Sequence, residues 1–399
     1  MKTVKNSIVL LLVLLGSSLH AQKANEPATH SFTVNSLEDE KLHNLIIQKL
    51  ENSRFVFVGE QHGIKSAATV TSLFYRLGQA QGYNTLCVET DDLNAQKLKS
   101  MSVTGDFTSA MKAHSASFPY SLPFYNNEDD HVLFTQVNQA KGEFWGIDQT
   151  FVLQFRYNFH YLATNGESEA LRKKAAALQK AAEDAYQVVI ETKNPKAPYI
   201  FQYDQATHEQ LLSLASNETE KEIIWQLGKT KEVYDYNFNG QGYLNNEVRG
   251  QLMKQNFMRY WKTALTEGKD PKVVFKLGAF HAARGLTRTN IYDIANLGSE
   301  LAISQGERSV HVAVLGITGQ AATGNPFAPS PIADFDNTAQ LPKELQELVG
   351  DISDKYFVID LEPLRPYGYG KRFSEELKKL IFQYDMLVLV NGAEPLKSF

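Results

Sequence analysis

Short apolar runs alternate with helical patterns along most of this 399-residue chain. This alternation restricts the fold more than any other feature of the sequence. The runs that predict strands are 55–58, 85–88, 144–147, 272–277, 309–317, 356–361 and 386–390. Helical periodicity covers 66–79, 91–101, 128–140 and 245–265. Strands that alternate with helices are typical of βαβ units. We therefore predict an α/β fold with a mostly parallel central sheet flanked by helices.

The alternation stops between about residues 151 and 240. Residues 167–185 are rich in Ala, Lys and Glu, which are strong helix formers, and 205–235 continue as helices. This predicts a long helical insertion in a single α/β hydrolase-like domain of residues 51–399, preceded by a lead-in of 22–50. The insertion is either a lid over a site or part of the scaffold. Residues 319–341, rich in Gly, Pro, Ala and Asp, are expected to form a loop.

The first 21 residues have the features of a secretory signal peptide. Lys2 and Lys5 precede an apolar stretch at 8–15, and small residues lead to an expected cleavage after Ala21. That stretch is far shorter than the about 20 residues of a membrane-spanning helix, and no cysteine near the junction could carry a lipid. We therefore expect a periplasmic or secreted protein that is not inserted in a membrane after cleavage.

The charge balance and the cysteine content restrict the possible partners. The formal net charge is −5, and removal of Lys2 and Lys5 makes it −7. A mildly acidic chain without a basic block argues against nucleic acid and anionic membrane surfaces, so we expect a small-molecule or peptide substrate. Cys87, the only cysteine, lies in an apolar run and cannot form an internal disulfide. Its expected role is that of a small buried hydrophobic residue.

Four of the predicted strands are each followed directly by acidic or imidazole side chains. In chain order these are Glu60 with His62, Glu89, Asp148, and His281. In an open α/β sheet, ligands bind in the crevice outside the carboxyl ends of the strands. The strands therefore deliver these groups to one edge of the sheet, where we predict the functional site.

Two carboxylates and two imidazoles at one edge suit two chemistries. His62, Glu89 and His281 could hold a divalent metal such as Zn, Mn or Co, which would acidify a bound water. Without a metal, one His or Glu would act as a general base on water, and the second His would protonate the leaving group. The spacing leaves both open, because the chain has no His-Glu-x-x-His helix.

A second set of candidates lies on one face of the predicted helix 245–265. Arg249, Met253, Asn256 and Tyr260 are spaced by four, three and four residues. Buried Arg and Asn side chains need polar partners, and the strand-end carboxylates are suitable ones. Arg249 is thus expected to orient Glu60 or Glu89, or to stabilise an oxyanion.

Three further residues are candidates to bind substrate or to support the main site. Gln61 lies between Glu60 and His62, and Asp148 follows its strand. Arg284, three residues after His281, would either bind a substrate anion or pair with an acid.

The motifs Gly59-Glu60-Gln61-His62 and Gly278-Ala279-Phe280-His281, together with Glu89, resemble those of a known superfamily. It joins the erythromycin esterases, the haem-binding ChaN proteins and the TIKI/TraB proteases, and the resemblance spans about residues 50–320. Residues 249–256 look like the esterases' Arg-Asp-x-x-Met-Ala-x-Asn helix, with Gly250 and Lys254 in place of the Asp and the Ala. The Gly-Glu-Gln-His form is instead similar to the ChaN proteins.

The resemblance implies two functions. The first is an exported hydrolase, erythromycin esterase-like or metal-dependent and TIKI-like, that cleaves an ester, lactone or amide bond. Glu60 and Glu89 would then be base or metal ligand, and His62 and His281 would be acid/base or metal ligand. The alternative is a ChaN-type uptake protein that binds haem or iron.

Overall fold

The computed structural model describes residues 26–103, 105–350 and 352–399, so the expected signal peptide lies outside the described residues. An eight-stranded sheet with the strand order β1-β9-β10-β6-β2-β5-β3-β4 forms the centre of this part of the chain. Its strands are β1 (Ser31–Val34), β2 (Ser53–Glu60), β3 (Tyr83–Val88), β4 (Glu143–Gly146), β5 (Lys272–Gly278), β6 (Arg308–Gly316), β9 (Tyr356–Asp360) and β10 (Met386–Val390). Strands β7 (Thr318–Ala322) and β8 (Ile332–Asp336) form a separate two-stranded sheet.

Helices flank this sheet and fill the segments between its strands. In the first half of the chain they are α1 (Glu26–Thr29), α2 (Glu40–Leu50), α3 (Lys65–Gly78), α4 (Asp92–Val103), α5 (Phe107–Ser117), α6 (His131–Gln139), α7 (Phe155–Asn165) and α8 (Glu169–Thr192). In the second half they are α9 (Gln205–Leu214), α10 (Glu218–Phe238), α11 (Gly242–Thr266), α12 (Ile294–Ser304), α13 (Lys343–Val349) and α14 (Glu375–Gln383). Within the described ranges, no helix is both long and apolar enough to cross a membrane.

The direction of the strands confirms the predicted fold class. Each neighbouring pair from β10 through β6, β2, β5 and β3 to β4 is parallel, and β9 alone runs antiparallel to both of its neighbours. All seven predicted strands are present, within two residues of the expected ends. Strand β1, in the lead-in segment, was not predicted and adds the outermost strand next to β9.

The central strands are buried on both faces. In β2, Val56 and Val58 face an apolar layer that includes α3, whereas Phe55 and Phe57 face a second layer that includes α11 and α12. A parallel strand covered on both sides has no polar face, so its sequence is continuously apolar and does not alternate. Cys87 is fully buried in the second layer, as expected for a small hydrophobic residue.

The structure agrees with the predicted helical insertion but not with the expected loop. No strand occurs between β4 and β5, as predicted, and the helices α7 to α10 share their own apolar cluster. The expectation of a plain loop at 319–341 is wrong, because β7 and β8 form an antiparallel hairpin there. These strands have no buried side chains, so they lack the apolar run that marks the other strands.

Candidate active site

The sheet register brings the predicted residues together at one edge. Glu60 is the last residue of β2 and pairs with Gly278, the last residue of β5. Glu89 directly follows β3, and Asp148 lies two residues beyond the end of β4. Because all four strands are parallel, their carboxyl ends place these side chains on the same side of the sheet.

Two carboxylate–imidazole pairs form the centre of the site. His62 Nδ1 lies 2.9 Å from Glu60 Oε1, and His281 Nδ1 lies 2.7 Å from Asp293 Oδ2. The opposite ring nitrogens converge, since Nε2 of His62 and Nε2 of His281 lie 3.7 Å and 3.6 Å from Glu89 Oε1. Each imidazole is therefore oriented through Nδ1 and leaves Nε2 directed towards one shared point.

Glu89 is held from two further sides. Arg249 Nη2 donates a hydrogen bond of 2.7 Å to Glu89 Oε1, and the Gly278 N–H donates to Glu89 Oε2. Arg249 also donates two hydrogen bonds to Asp148, from Nε to Oδ1 at 2.9 Å and from Nη2 to Oδ2 at 2.5 Å. Of the two carboxylates that Arg249 was expected to orient, Glu60 and Glu89, it contacts Glu89, and it also contacts Asp148.

The charges at this edge shift the pKa values of its groups. Burial opposes the charged form of Glu89, but the charges of His281, His62 and Arg249 hold its pKa well below the usual value. Burial likewise opposes protonation of His62, but Glu89 and Glu60 raise its pKa to about 10. For His281, Asp293 and Glu89 outweigh burial and the Arg249 charge, so its pKa is raised. At neutral pH, Glu89 is therefore ionised and His62 is protonated.

A buried lysine continues this set of charges below the surface. Lys276 Nζ, in β5, lies 2.8 Å from Glu60 Oε2 and 3.5 Å from Asp130 Oδ1. All three side chains are at most 3% exposed. The charges thus alternate in sign along a chain of contacts, which runs Asp148, Arg249, Glu89, His62, Glu60, Lys276 and Asp130.

Sequence reasoning missed Lys276, Asp130 and Asp293. A lysine inside the otherwise apolar run of β5 is a signal for the first. Asp293 accepts the Ile294 N–H at the start of α12, and an Asp before an apolar helical pattern is a signal for such a cap.

The remaining predicted residues lie around the site rather than in it. The Asn256 amide donates to the carbonyl of Ile147, at 2.9 Å, and so fixes the backbone that precedes Asp148. Gln61 Oε1 accepts the N–H of Gly316 at 3.1 Å, which ties β2 to the end of β6. Arg284 pairs with Asp385, so of its two predicted roles the structure gives it the pairing with an acid.

Aromatic side chains border the exposed part of the site. The His62 side chain is 34% exposed and stacks on the Phe124 ring at a centroid distance of 4.5 Å. Gly324, in the hairpin between β7 and β8, also lies against the Phe124 ring. A cavity of about 710 Å³ lies nearby between α4, α7 and α10, lined by residues such as Asp91 and Gln226 but not by the two histidines.

Whether the site fits a metal depends on its possible ligands and on the charges beside them. His62, His281 and Glu89 are chemically suitable ligands, and carboxylates behind the imidazoles are common around metals. However, Glu89 already pairs with the Arg249 guanidinium, whose positive charge would lie next to the metal. Within the described part of the chain, no group of three or more His, Cys, Asp or Glu residues has a metal-binding arrangement. With the Arg249 guanidinium next to Glu89, this arrangement of side chains does not fit a metal.

No protein-family model matches the chain, and no curated protein matches it significantly. Solved structures do match it. A histidine-to-asparagine variant of the erythromycin esterase EreC in its open conformation is 13% identical with a TM-score of 0.59, over 92% of this chain and 98% of that one. A Bacillus cereus protein is 16% identical with a TM-score of 0.58, over 95% and 99% of the two chains. A succinoglycan biosynthesis protein is 13% identical with a TM-score of 0.59, over 96% and 99%.

These similarities cover nearly the whole chain and define its fold. The protein has the fold of the erythromycin esterase EreC, which confirms at the level of fold the resemblance carried by the paired Gly-x-x-His motifs. The low identities limit this conclusion to the fold, because one fold supports many activities.

Proposed function

We propose that the protein is a hydrolase that cleaves an ester, lactone or amide bond with water activated by an imidazole. The observation that carries the proposal is the convergence of His62 Nε2 and His281 Nε2 on Glu89 Oε1. Hydrolysis by acid–base catalysis needs one group that takes a proton from water and another that protonates the leaving group. Two imidazoles, each oriented by its own carboxylate, supply both groups at one place.

The surroundings of the two imidazoles favour His281 as the base and His62 as the acid. The positive charge of Arg249 opposes protonation of His281, whereas His62 lies between Glu60 and Glu89 and has a pKa of about 10. We therefore assign the proton acceptor to His281, whose protonation the Arg249 charge opposes, and the proton donor to His62. His62 is also the more exposed, at 34% against 12%, so it is the one more open to a leaving group.

The reaction then proceeds in two steps. His281 Nε2 accepts a proton from water as the water oxygen attacks the carbonyl carbon, and the Asp293 carboxylate stabilises the imidazolium that forms. The tetrahedral intermediate collapses as the bond to the leaving group breaks, and His62 Nε2 gives that group a proton. The products are a carboxylic acid and an alcohol, or an amine from an amide. Glu89, held by Arg249 and the Gly278 N–H, keeps the two rings facing one point.

The shared fold suggests which substrates to test first. EreC is named an erythromycin esterase, so macrocyclic lactones are the first natural class, and simple aryl esters are a convenient second. We further propose that the protein acts outside the cytoplasm, on the basis of the signal-like residues 1–21.

The test uses purified mature protein with p-nitrophenyl acetate and with erythromycin, the latter followed by mass spectrometry for the addition of one water. Wild type should turn over at least one of the two, and His281→Ala and His62→Ala should lose the activity while unfolding at nearly the wild-type temperature. His43→Ala, at a histidine that bonds the Leu37 carbonyl instead of the site, is the control and should remain active. Full activity of His281→Ala would contradict the proposal.

The metal and haem expectations are tested on the same preparations. A hydrolase without a metal keeps its turnover after dialysis against a chelator, and a metal-dependent one loses it and regains it with Zn, Mn or Co. A Soret shift on titration with haem, abolished in His62→Ala and accompanied by no hydrolysis, would favour the uptake function instead.

A further inference from the structure

Lys276 is an unusual residue to find in the middle of a central strand. Its side chain is 1% exposed, its neighbours Val274 and Phe275 are fully buried, and its ammonium lies 4.7 Å from the centre of the Tyr125 ring. Apart from their ion pairs, Lys276 Nζ, Glu60 Oε2 and Asp130 Oδ1 have no hydrogen-bond partner in the described structure. These three buried atoms therefore depend on one another.

Stability alone is a weak reason for such a group. Removing charges from water costs several kcal/mol per ion, and a well-packed apolar group in place of a buried ion pair is often as stable or more so. Apolar residues in place of all three charged side chains would avoid this cost, whereas loss of Lys276 alone would leave two buried carboxylates without their cation. What Lys276 adds is a charge at one defined position, 2.8 Å from Glu60 Oε2.

We propose that Lys276 is a positioning residue of the site, which holds the Glu60 carboxylate in the orientation that directs its other oxygen to His62 Nδ1. This inference rests on the proposed hydrolysis and adds the group that prepares its acid. The two oxygens of Glu60 have separate partners, Lys276 at Oε2 and His62 at Oε1. The torsion that turns a glutamate carboxylate is broad, so a carboxylate with one partner rotates more freely than one with two.

Asp130 keeps the lysine in place from the opposite side. It lies at the start of α6, and its Oδ2 accepts a hydrogen bond of 2.9 Å from the Asn127 amide. The Asn127 side chain also accepts the Asp130 N–H, so the aspartate is itself held on two sides. Lys276 is thus fixed between one rigid carboxylate and the carboxylate that it orients.

The chain contains a matched control for a merely structural lysine. Lys49 is also buried, at 6% side-chain exposure, and also lies between two carboxylates, 2.6 Å from Asp360 and 2.5 Å from Glu362. Asp360 pairs with Met386, the first residue of β10, so this cluster lies at the opposite edge of the sheet. The carboxylate partners of Lys49 are 21% and 26% exposed, so loss of Lys49 should destabilise the protein less than loss of Lys276 does, without reaching the site.

The experiment compares Lys276→Met, Lys276→Gln and Lys49→Met with wild type, using p-nitrophenyl acetate or erythromycin, whichever wild type hydrolyses. Lys276→Met should lower kcat by about 10- to 100-fold, because a misplacement of about 1 Å of a reacting group can cost about 10²-fold in rate, with little change in KM. Lys276→Gln keeps an N–H donor and should lose less. Lys49→Met should unfold at a somewhat reduced temperature and keep its kcat. A kcat of Lys276→Met equal to that of Lys49→Met would overturn the proposal.

A second readout does not depend on turnover. The imidazole nitrogen NMR shifts of His62 report the hydrogen bond at Nδ1, and they should change in Lys276→Met but not in Lys49→Met. If neither substrate is hydrolysed by wild type, the proposed function fails and this readout alone decides the role of Lys276. If Lys276→Met does not fold, Lys276→Gln carries both measurements, and unchanged His62 shifts in it would refute the positioning role.

Discussion

Gly278 lies directly against His62, so that a Cβ atom added to it would be 2.9 Å from His62 Nε2 and 3.4 Å from Glu89 Oε2. The first motif shows the reverse relationship, because a Cβ on Gly59 would be 2.7 Å from the Cβ of Ala282, next to His281. Real Cβ atoms do not make contacts as short as 2.9 Å or 2.7 Å, so a neighbouring group would have to move. Each glycine therefore leaves room for the other motif, which explains why both motifs begin with one.

The first prediction is that Gly278→Ala lowers activity more than stability. The new methyl group would displace the His62 ring, which is partly exposed and can move at small cost, so kcat should fall by at least about 10-fold, because small misplacements of reacting groups are costly. Gly242→Ala is the control, since nothing lies within 4 Å of its added Cβ. Steady-state rates and thermal unfolding of the two variants provide the check, and equal rates would contradict this explanation of the motif.

The second prediction concerns Asp293, the carboxylate behind His281. Asp293→Asn still caps α12, because Asn and Asp are similar N-cap residues, but it no longer stabilises an imidazolium at His281. We expect kcat to fall by about 10²-fold or more, within the range of general acid–base effects, with nearly unchanged unfolding. Asp204→Asn makes the same change at the cap of α9, where Asp204 accepts the Thr207 N–H, and should leave kcat unaltered. A wild-type rate for Asp293→Asn would remove Asp293 from the mechanism.

The third prediction concerns the stability that Arg249 contributes. Glu89 and Asp148 have side chains that are 8% and 6% exposed, and Arg249→Met would take from Asp148 its ion-pair partner and from Glu89 one of the three positive charges around it. Breaking a buried pair in this way costs about 3–5 kcal/mol, and the addition of Asp148→Asn should recover part of it because one buried charge is removed.

Arg259 provides the control for this prediction. It lies on the same helix and pairs with Glu222, but both side chains are about one third exposed, so Arg259→Met should cost less than about 1 kcal/mol. Urea unfolding of the four proteins measures the differences. Equal losses for Arg249→Met and Arg259→Met would show that the buried cluster contributes no special stability.

The residues that sequence reasoning found share one property, which is a position defined by a regular element. Glu60, Glu89 and His281 follow apolar strands, and parallel strands end at a common edge. Arg249 was found in a similar way, through its spacing along one helical face. In these cases local sequence determines the position of the side chain in space.

The residues that were missed depend on contacts between distant parts of the chain. Asp130 reaches Lys276 only because α6 packs across the sheet, and no local pattern encodes that distance. Asp293 caps a helix that was not predicted, so its position relative to His281 was not apparent. The β7–β8 hairpin has no buried face, so the apolar periodicity that reveals strands was absent there.

The last prediction is a pH optimum on the alkaline side of neutrality. The active form needs a neutral His281 and a protonated His62. Because the pKa of His281 is raised above its usual 6.5, kcat/KM should increase with pH only above that value, as His281 loses its proton. Because the pKa of His62 is about 10, kcat/KM should decrease again near that pH, as the acid is lost.

Charge changes should move the two limbs of this profile in defined directions. Removal of the Asp293 charge in Asp293→Asn lowers the pKa of His281 and should move the rising limb to lower pH, whereas removal of the Arg249 charge should move it to higher pH. Glu60→Gln lowers the pKa of His62 and should move the falling limb to lower pH. Initial rates on a neutral substrate, corrected with His281→Ala for spontaneous hydrolysis, measure both limbs. A rising limb that moved to higher pH in Asp293→Asn would assign the base to a residue other than His281.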